Sequence, residues 1–361
     1  MEREIIIQLL QNIKDPLTGN DIVSAGLIEQ LNIQENEVSI TLTLSSMNIQ
    51  NKSALNFACI SMIQEKFPSA NVNVHVKSKL PESQQIENPL PNIKNIIAVG
   101  SGKGGVGKST VAVNLALGLK SLGAKVGLLD ADLYGPSIPT MLGLKGERPK
   151  VQDVYGQPKI CPLEAYGMPV ISIGFLVEPE QAVVLRGPRL AGILKQFFMD
   201  CLWPELDYLI VDLPPGTGDV QLTLVQTVPV TGVVLVTTPQ EVALADAIKA
   251  MNMFMMPNVN VPILGVVENM SWFSPAELPE NKYYIFGEGG GKKLAKEANT
   301  ILLGQVPLVQ SIRESGDKGL PAVLETNTIS DNYKELAKRT IEQVNYRNEN
   351  LKPTHRIKMS T

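Results

Sequence analysis

The sequence predicts an α/β fold, a mostly parallel sheet covered by helices on both faces and preceded by a small α+β domain. Three observations carry this expectation. From Ile96 onward, apolar β-branched runs alternate with stretches of helical periodicity, the rhythm of repeated strand–helix units. A glycine-rich stretch, GSGKGGVGKST from Gly100 to Thr110, joins the apolar run Ile96-Ile97-Ala98-Val99 to one of those helices. Before residue 80 the pattern is different: from Val38 to Leu44 apolar residues alternate with polar ones, as in a half-buried strand.

Residues 1–80 form the small domain. A helix is expected through Ile5 to Asn12, then strands around Leu27 to Ile33 and Val38 to Leu44. In the second strand Val38, Ile40, Leu42 and Leu44 face one way, and Ser39, Thr41 and Thr43 the other. A helix from about Lys52 carries Leu55, Cys59, Met62, Ile63 and Phe67 on one stripe, which makes Cys59 a core residue. Val72, Val74 and Val76 mark a last strand. Leu80 to Asn95 holds three prolines among polar side chains, so residues 81–95 read as a linker and 96–361 as the larger domain.

The stretch after Val99 has the chemistry of a phosphate cradle. Gly102, Gly104, Gly105 and Gly107 lack the Cβ atoms that block close backbone approach, so the loop can wrap an anion with its N–H groups inward. The helix starting near Lys108 adds the positive end of its dipole. The spacing Gly102, Gly107, Lys108, Ser109 satisfies G-x-x-x-x-G-K-S/T, which assigns Lys108 to the β- and γ-phosphates and the Ser109 hydroxyl to Mg²⁺. Lys103, Val106 and Thr110 complete the expected nucleotide-binding run. Val111, Leu115, Leu119 and Leu122 at helical spacing, closed by Gly123, supply the helix that the motif requires; a glycine turn without a ligand is the weaker alternative.

Downstream, Val126 to Leu129 is a strand ending in Asp130-Ala131-Asp132. Two carboxylates beside a phosphate loop can bind Mg²⁺ through water, orient an attacking water, or merely cap a turn. Met168 to Phe175 reads as another strand, and a helix opens at Leu185-Arg186-Gly187-Pro188 and runs to Phe198, with Arg186 and Arg189 as solvated charges by default. Tyr208 to Asp212 is a buried strand ending in a carboxylate suited to the Mg²⁺ shell. The following LPPGTGD brings Gly216, whose N–H can approach a γ-phosphate, in a proline-stiffened loop able to change position on hydrolysis.

Gly232 to Thr238 is a strand, followed by a helix containing Asp246 and Lys249, with the methionines from Met251 to Met256 as packing residues. Ile263 to Val267 presents Glu268-Asn269-Met270, and the Asn269 amide suits an adenine edge. Leu302 to Val306 leads to Pro307, placed near the base, and a last helix spans about Ser330 to Asn345.

Composition removes several function classes. A net charge of −4 supplies no general attraction to nucleic acid. No apolar run approaches the roughly 18 residues of a membrane span, and MEREIIIQLL has no small-residue cleavage site. A cytoplasmic protein without nucleic-acid or membrane partners is therefore expected. Cys59, Cys161 and Cys201 are separated along the chain, and His75 and His355 are the only histidines, which argues against a disulfide framework, a C-x-x-C clamp or a histidine metal centre.

The second lysine of the loop, Lys103 in K-G-G-x-G-K-S-T, makes it similar to the deviant Walker ATPases, among them the MinD, ParA, Mrp and nitrogenase iron-protein families. DADLYGPS, DLPPGTGD, TTPQEVAL and NMSWF together resemble the Mrp family over nearly the whole chain. KDPLTGNDIVSAGLI, from Lys14 to Ile28, resembles the small domain fused to many Mrp-type proteins and found alone among iron-sulfur assembly factors. The resemblance implies a P-loop NTPase that closes as a homodimer around ATP. Lys103 would reach the partner's phosphates, with Lys108 and Asp132 as the other catalytic residues and Asp130 in support. Ser109, Asp132 and Asp212 would hold Mg²⁺, and Asn269 would contact the base. The implied output is delivery of iron-sulfur clusters to apoproteins, with those recipients and assembly factors as partners.

Two departures from the family pattern stand out. The stretch SSMNIQNKS, from Ser45 to Ser53, lacks the cysteine that members often carry there. Members also continue N-M-S-x-F-x-C-P-x-C, and the two cysteines of each subunit hold a cluster across the dimer, whereas this chain reads NMSWFSPAELPENKYYIFGEGG. Ser274, Glu277 and Glu280 are poor replacements for thiolates, so the iron-sulfur ligands are unassigned. The alternative is a MinD- or ParA-like switch that positions or scaffolds without a cluster. Its weak point is the tail LKPTHRIKMST, which contains Pro353 and makes a poor membrane-binding helix. A nitrogenase-like reductase ranks last, because the second switch has no cysteine.

Overall fold

The computed structural model describes residues 3–14, 20–34, 36–44, 49–78, 89–132, 135–176, 187–275, 277–278 and 280–356. The chain divides into two compact units, Met1–Pro91 with Gln152–Lys159, and Asn92–Val151 with Ile160–Thr361.

In the smaller unit, helix α1 (Arg3–Leu10) precedes strands β1 (Ile28–Gln34) and β2 (Glu37–Leu44), helix α2 (Ile49–Lys66) and strand β3 (Asn71–Ser78). β2 pairs antiparallel with β1 and parallel with β3. The alternation read in β2 is real: Val38, Ile40 and Leu42 are buried together with Leu55, Cys59 and Ile63 of α2 and Ile6 and Leu10 of α1. This apolar setting pushes the Cys59 thiol up to about 12. Residues 15–19 of the KDPLTGNDIV stretch, residues 45–48 of SSMNIQNKS and linker residues 81–88 lie outside the described residues.

The larger unit begins with β4 (Ile93–Gly100), so pairing starts at Ile93 rather than Ile96, where the continuous apolar run begins. There follow α3 (Lys108–Ser121), β5 (Val126–Asp130) and the short α4 (Ile138–Met141); β6 (Val151–Val154) and β7 (Gln157–Ile160) come next in the chain but their residues 152–159 belong to the smaller unit, after which the larger unit resumes with β8 (Leu163–Ala165) and β9 (Met168–Ser172). Then come α5 (Gly187–Met199), β10 (Leu206–Asp212), α6 (Asp219–Thr227), β11 (Gly232–Thr237), α7 (Glu241–Met255) and β12 (Ile263–Phe273). The chain continues with α8 (Gly290–Glu297), β13 (Leu302–Leu308), α9 (Gln310–Asp317) and α10 (Thr328–Asn350).

Eight strands lie in the order β13-β12-β11-β4-β10-β5-β9-β8. Neighbours are parallel throughout, except that β8 runs antiparallel to β9. Alternate residues of the central strands face opposite layers. Ile97, Val99, Ile210 and Val234 share a core with Val111 and Leu115 of α3 and with Tyr333 and Leu336 of α10. On the other face a Cβ added at Gly100 would meet the ring of Phe254 in α7 at 3.7 Å. Both faces of the sheet are thus covered, as a parallel sheet requires.

Some elements depart from the sequence expectation. The stretch Met168 to Phe175 is a strand only to Ser172, because the Ser172 hydroxyl accepts the Gly174 N–H at 2.9 Å and turns the chain into a 3-10 turn, Ile173–Phe175. β12 runs on to Phe273, beyond the apolar run ending at Val267, and the last helix covers Thr328–Asn350, started by Asn327 accepting the Ser330 N–H at 2.9 Å. Leu133, Tyr134 and Arg186 lie outside the described residues, as does the Arg189 side chain. Among the described residues no helix is long and apolar enough to cross a membrane.

Candidate functional site

Strands β4, β10 and β5 are adjacent and parallel, with Asp212 in register with both Val99 and Asp130. Their carboxyl ends therefore deliver the glycine-rich loop and the two strand-end carboxylates to the same edge. The first loop glycine is fixed by protein rather than by ligand: a Cβ on Gly102 would fall 2.0 Å from the Asp246 backbone carbon in α7. Gly107, at φ 79°, lies so close to Asn269 that a Cβ would meet its Nδ2 at 2.1 Å. Room for an anion is thus only part of the reason for these glycines. Gly105, at φ 78°, has nothing within 4 Å of its would-be Cβ and is required by its left-handed backbone alone.

Lys108, first residue of α3, is buried and directs Nζ onto the carboxylates: 2.7 Å from Asp212 Oδ1, 3.3 Å from Asp132 Oδ2 and 3.2 Å from Ser109 Oγ. Asp212 is wholly buried, and its Oδ2 has no hydrogen-bond partner among the described residues. Asp130 accepts the Asp132 N–H at Oδ1 (3.1 Å) and the Ser172 hydroxyl at Oδ2 (2.7 Å). Burial, and then the charge of Asp212, pushes Asp130 up to about 8. Burial raises Asp212 also, against the pull of Lys108. Asp130 thus shapes the Asp132 turn, while Ser109, Asp132 and Asp212 converge as a set of hard oxygen donors. An orphaned carboxylate oxygen in such a set fits Mg²⁺.

Gly216 stands at the loop after β10, but its N–H donates to the Ser101 carbonyl at 2.8 Å and is not offered to a γ-phosphate in this arrangement. Gln221 of α6 holds the same loop, its Nε2 donating to Pro214 O at 2.7 Å and Gly216 O at 3.0 Å. Sequence reasoning missed Gln221, because nothing separates it from an ordinary helix residue until the loop folds back over it. Lys103 is exposed at the loop and makes no ion pair among the described residues.

Two cavities meet at the loop. One of about 360 Å³ is lined by Lys103, Gly104, Gly105, Lys108, Ser109 and Asp132, the phosphate half expected from the motif. The other, about 380 Å³, is lined by Thr110, Asn269, Met270, Pro307, Arg313 and Asp317 among others, and has the size of a small-molecule pocket. Gly107 and Thr110 belong to both. The structure thus brings together every residue assigned to nucleotide or Mg²⁺ except Gly102, Val106, Asp212 and Gly216 as cavity lining; Gly102 and Val106 form the loop, and Asp212 is its floor.

The segment after β12 closes on itself. Phe273 and Tyr283 exchange backbone hydrogen bonds of 2.8 and 2.9 Å, and Ser274 Oγ donates to Asn281 O at 2.9 Å. Lys282 Nζ lies 4.2 Å from the Trp272 ring centroid. Among the described residues no three His, Cys, Asp or Glu side chains are grouped to hold a metal ion. Cys59 and Cys201 are buried, and Cys161 is partly exposed on the chain beside Cys201.

A profile of the ParA family, described as NUBPL iron-transfer P-loop NTPase, matches residues 92–343, and one described as iron-sulfur cluster assembly protein matches residues 3–76. A curated relative from Synechocystis sp., named iron-sulfur cluster carrier protein, is 46% identical over 323 residues, covering 89% of this chain and 91% of its own. One of the same name from Escherichia coli K12 is 51% identical over 262 residues, covering 72% of this chain and 69% of its own. Among solved structures, a nucleotide-binding protein from Archaeoglobus fulgidus in complex with ADP is 37% identical with a TM-score of 0.57, covering 67% of this chain and 93% of that one. The cell division ATPase MinD of Pyrococcus furiosus, 22% identical with a TM-score of 0.51 and covering 69% of this chain and 99% of that one, shares the fold.

Proposed function

The chain belongs to the ParA/NUBPL family of iron-transfer P-loop NTPases, and from that premise we propose that it is an ATPase carrying iron-sulfur clusters to apoproteins. The observation that carries the ATPase half is the convergence of Lys108, Ser109, Asp132 and Asp212 at the mouth of the loop. The cargo half is supported by the names of the relatives.

ATP places its base in the cavity lined by Asn269 and Pro307 and its phosphates on the loop N–H groups. Lys108 leaves Asp212 and Asp132 to pair with β- and γ-phosphate oxygens, which frees both carboxylates. Their oxygens and Ser109 Oγ form the donor set for Mg²⁺, which supplies charge neutralisation on the phosphates when bound. Asp132 orients the attacking water. The Gly216 N–H exchanges Ser101 O for the γ-phosphate, so the loop moves between two hydrogen-bonded states. In a closed homodimer the exposed Lys103 reaches the partner's phosphates. Residues 1–80 act as a domain of the assembly machinery joined by a linker to the ATPase, whose first strand begins at Ile93 rather than at Ile96, in a cytoplasmic protein that meets apoprotein recipients and assembly factors and neither nucleic acid nor membrane.

The cluster is the cargo, and its ligands do not follow from the residues present. The thiol-free segment after Phe273 and the two buried cysteines favour, as a second reading, a nucleotide-switched positioning or scaffold ATPase without a cluster. Anaerobic reconstitution with iron and sulfide, followed by transfer to an apoprotein, separates the two. A stable cluster that transfers supports carriage. ATP binding without any specific cluster supports the switch.

A further inference from the structure

Asn269 has a second task that its place beside the base cavity does not require. At the end of the regular pairing of β12, its Nδ2 donates to the Val106 carbonyl of the phosphate loop at 2.8 Å, and the residue is buried. A carbonyl only accepts, so the amide nitrogen is the atom facing it. Two features of the backbone flank this bond. Gly107 leaves open the space in which the Asn269 nitrogen sits, since a Cβ there would stand 2.1 Å from it. Met270 takes φ 54°, a left-handed conformation uncommon for a side chain of its size.

The bond spans two elements far apart in sequence. Val106 itself is buried, and its carbonyl precedes the left-handed Gly107, the residue immediately before α3. Holding that carbonyl away from the ligand turns the peptide between Val106 and Gly107 so that its N–H faces the opposite side. We infer that Asn269 is a positioning residue of the phosphate loop, acting on the phosphate grip through Val106 O rather than only through the base. The inference deepens the nucleotide reading of the site and rests on it.

The test compares ATP with inorganic tripolyphosphate, which has the phosphates and no base, each titrated with Mg²⁺ into the full chain by competition with a fluorescent ATP analogue. Asn269→Ala removes the donor, and Asn269→Leu removes it while keeping the side-chain shape should the alanine variant fold poorly; melting of each without ligand checks the fold. Both variants are expected to bind tripolyphosphate about tenfold more weakly, the order of one lost hydrogen bond, with a comparable or larger loss for ATP. Unchanged tripolyphosphate affinity in a folded variant overturns the inference, whether or not ATP binding falls. A wild-type chain that binds neither ligand overturns the nucleotide reading itself, and this inference with it.

Discussion

Asp212 Oδ1 accepts a 2.7 Å hydrogen bond from Lys108 Nζ at the buried floor of the site, while its Oδ2 has no partner among the described residues. The lysine that the motif assigns to phosphate is thus held by the carboxylate assigned to Mg²⁺. Each is the other's counter-ion in this arrangement, and nucleotide with Mg²⁺ offers new partners to both.

Removing the cation exposes that dependence. Lys108→Ala leaves Asp212 and Asp132 facing each other without a counter-charge in a buried setting. Unfolding by urea without ligand is expected to show a loss of about 3–5 kcal/mol, the cost of breaking one side of a buried pair. A loss below about 1 kcal/mol would show that the pair is not formed in solution.

The loop after β10 is latched by Gln221. Gln221→Ala frees the Pro214 and Gly216 carbonyls, at a cost of about 1 kcal/mol for each hydrogen bond. Faster amide exchange at Gly216, Thr217 and Gly218 is expected, with the sheet unchanged. Equal protection in the two proteins would remove Gln221 from the switch.

The loop glycines are not equivalent. Gly105→Ala meets no neighbour and is expected to cost about 1–2 kcal/mol through its left-handed backbone. Gly102→Ala drives a methyl into the α7 backbone, which cannot yield as a side chain would, and is expected to cost more and to displace the loop. Thermal melts of the two variants with and without ADP check the order.

Thiol reactivity follows burial. Cys59 is pushed up to about 12, and Cys201 is raised by burial and then by Cys161, so both remain protonated at neutral pH. Native protein is expected to lose one thiol per chain to a maleimide, at the partly exposed Cys161, and three after unfolding. Rapid native labelling of Cys59 or Cys201, read by peptide mass, would contradict the burial.

The glycine-rich loop and its flanking elements were legible because their signature is local. Lys108 and Ser109 follow Gly107 directly, and the strand before and helix after the loop show in residue periodicity. Asp130 and Asp212 were legible as strand ends, since parallel strands carry their carboxyl ends to one edge. Gln221, the Asn269–Val106 bond and the contact of Gly102 with α7 were not, because each joins segments distant in sequence through one atom pair or close approach. The short α4, α8 and α9 and the β6–β7 hairpin lack enough apolar residues to impose a period, and packing decides them.

The most direct test of the account is Mg²⁺-dependent ATP turnover by the purified chain, set beside Lys108→Ala and Asp132→Asn. Turnover by the wild type is expected, with loss of ATP binding in Lys108→Ala and retained ATP binding with turnover lowered about 100-fold or more in Asp132→Asn. Wild-type turnover that survives both substitutions, or no ATP binding by the wild type, would contradict it.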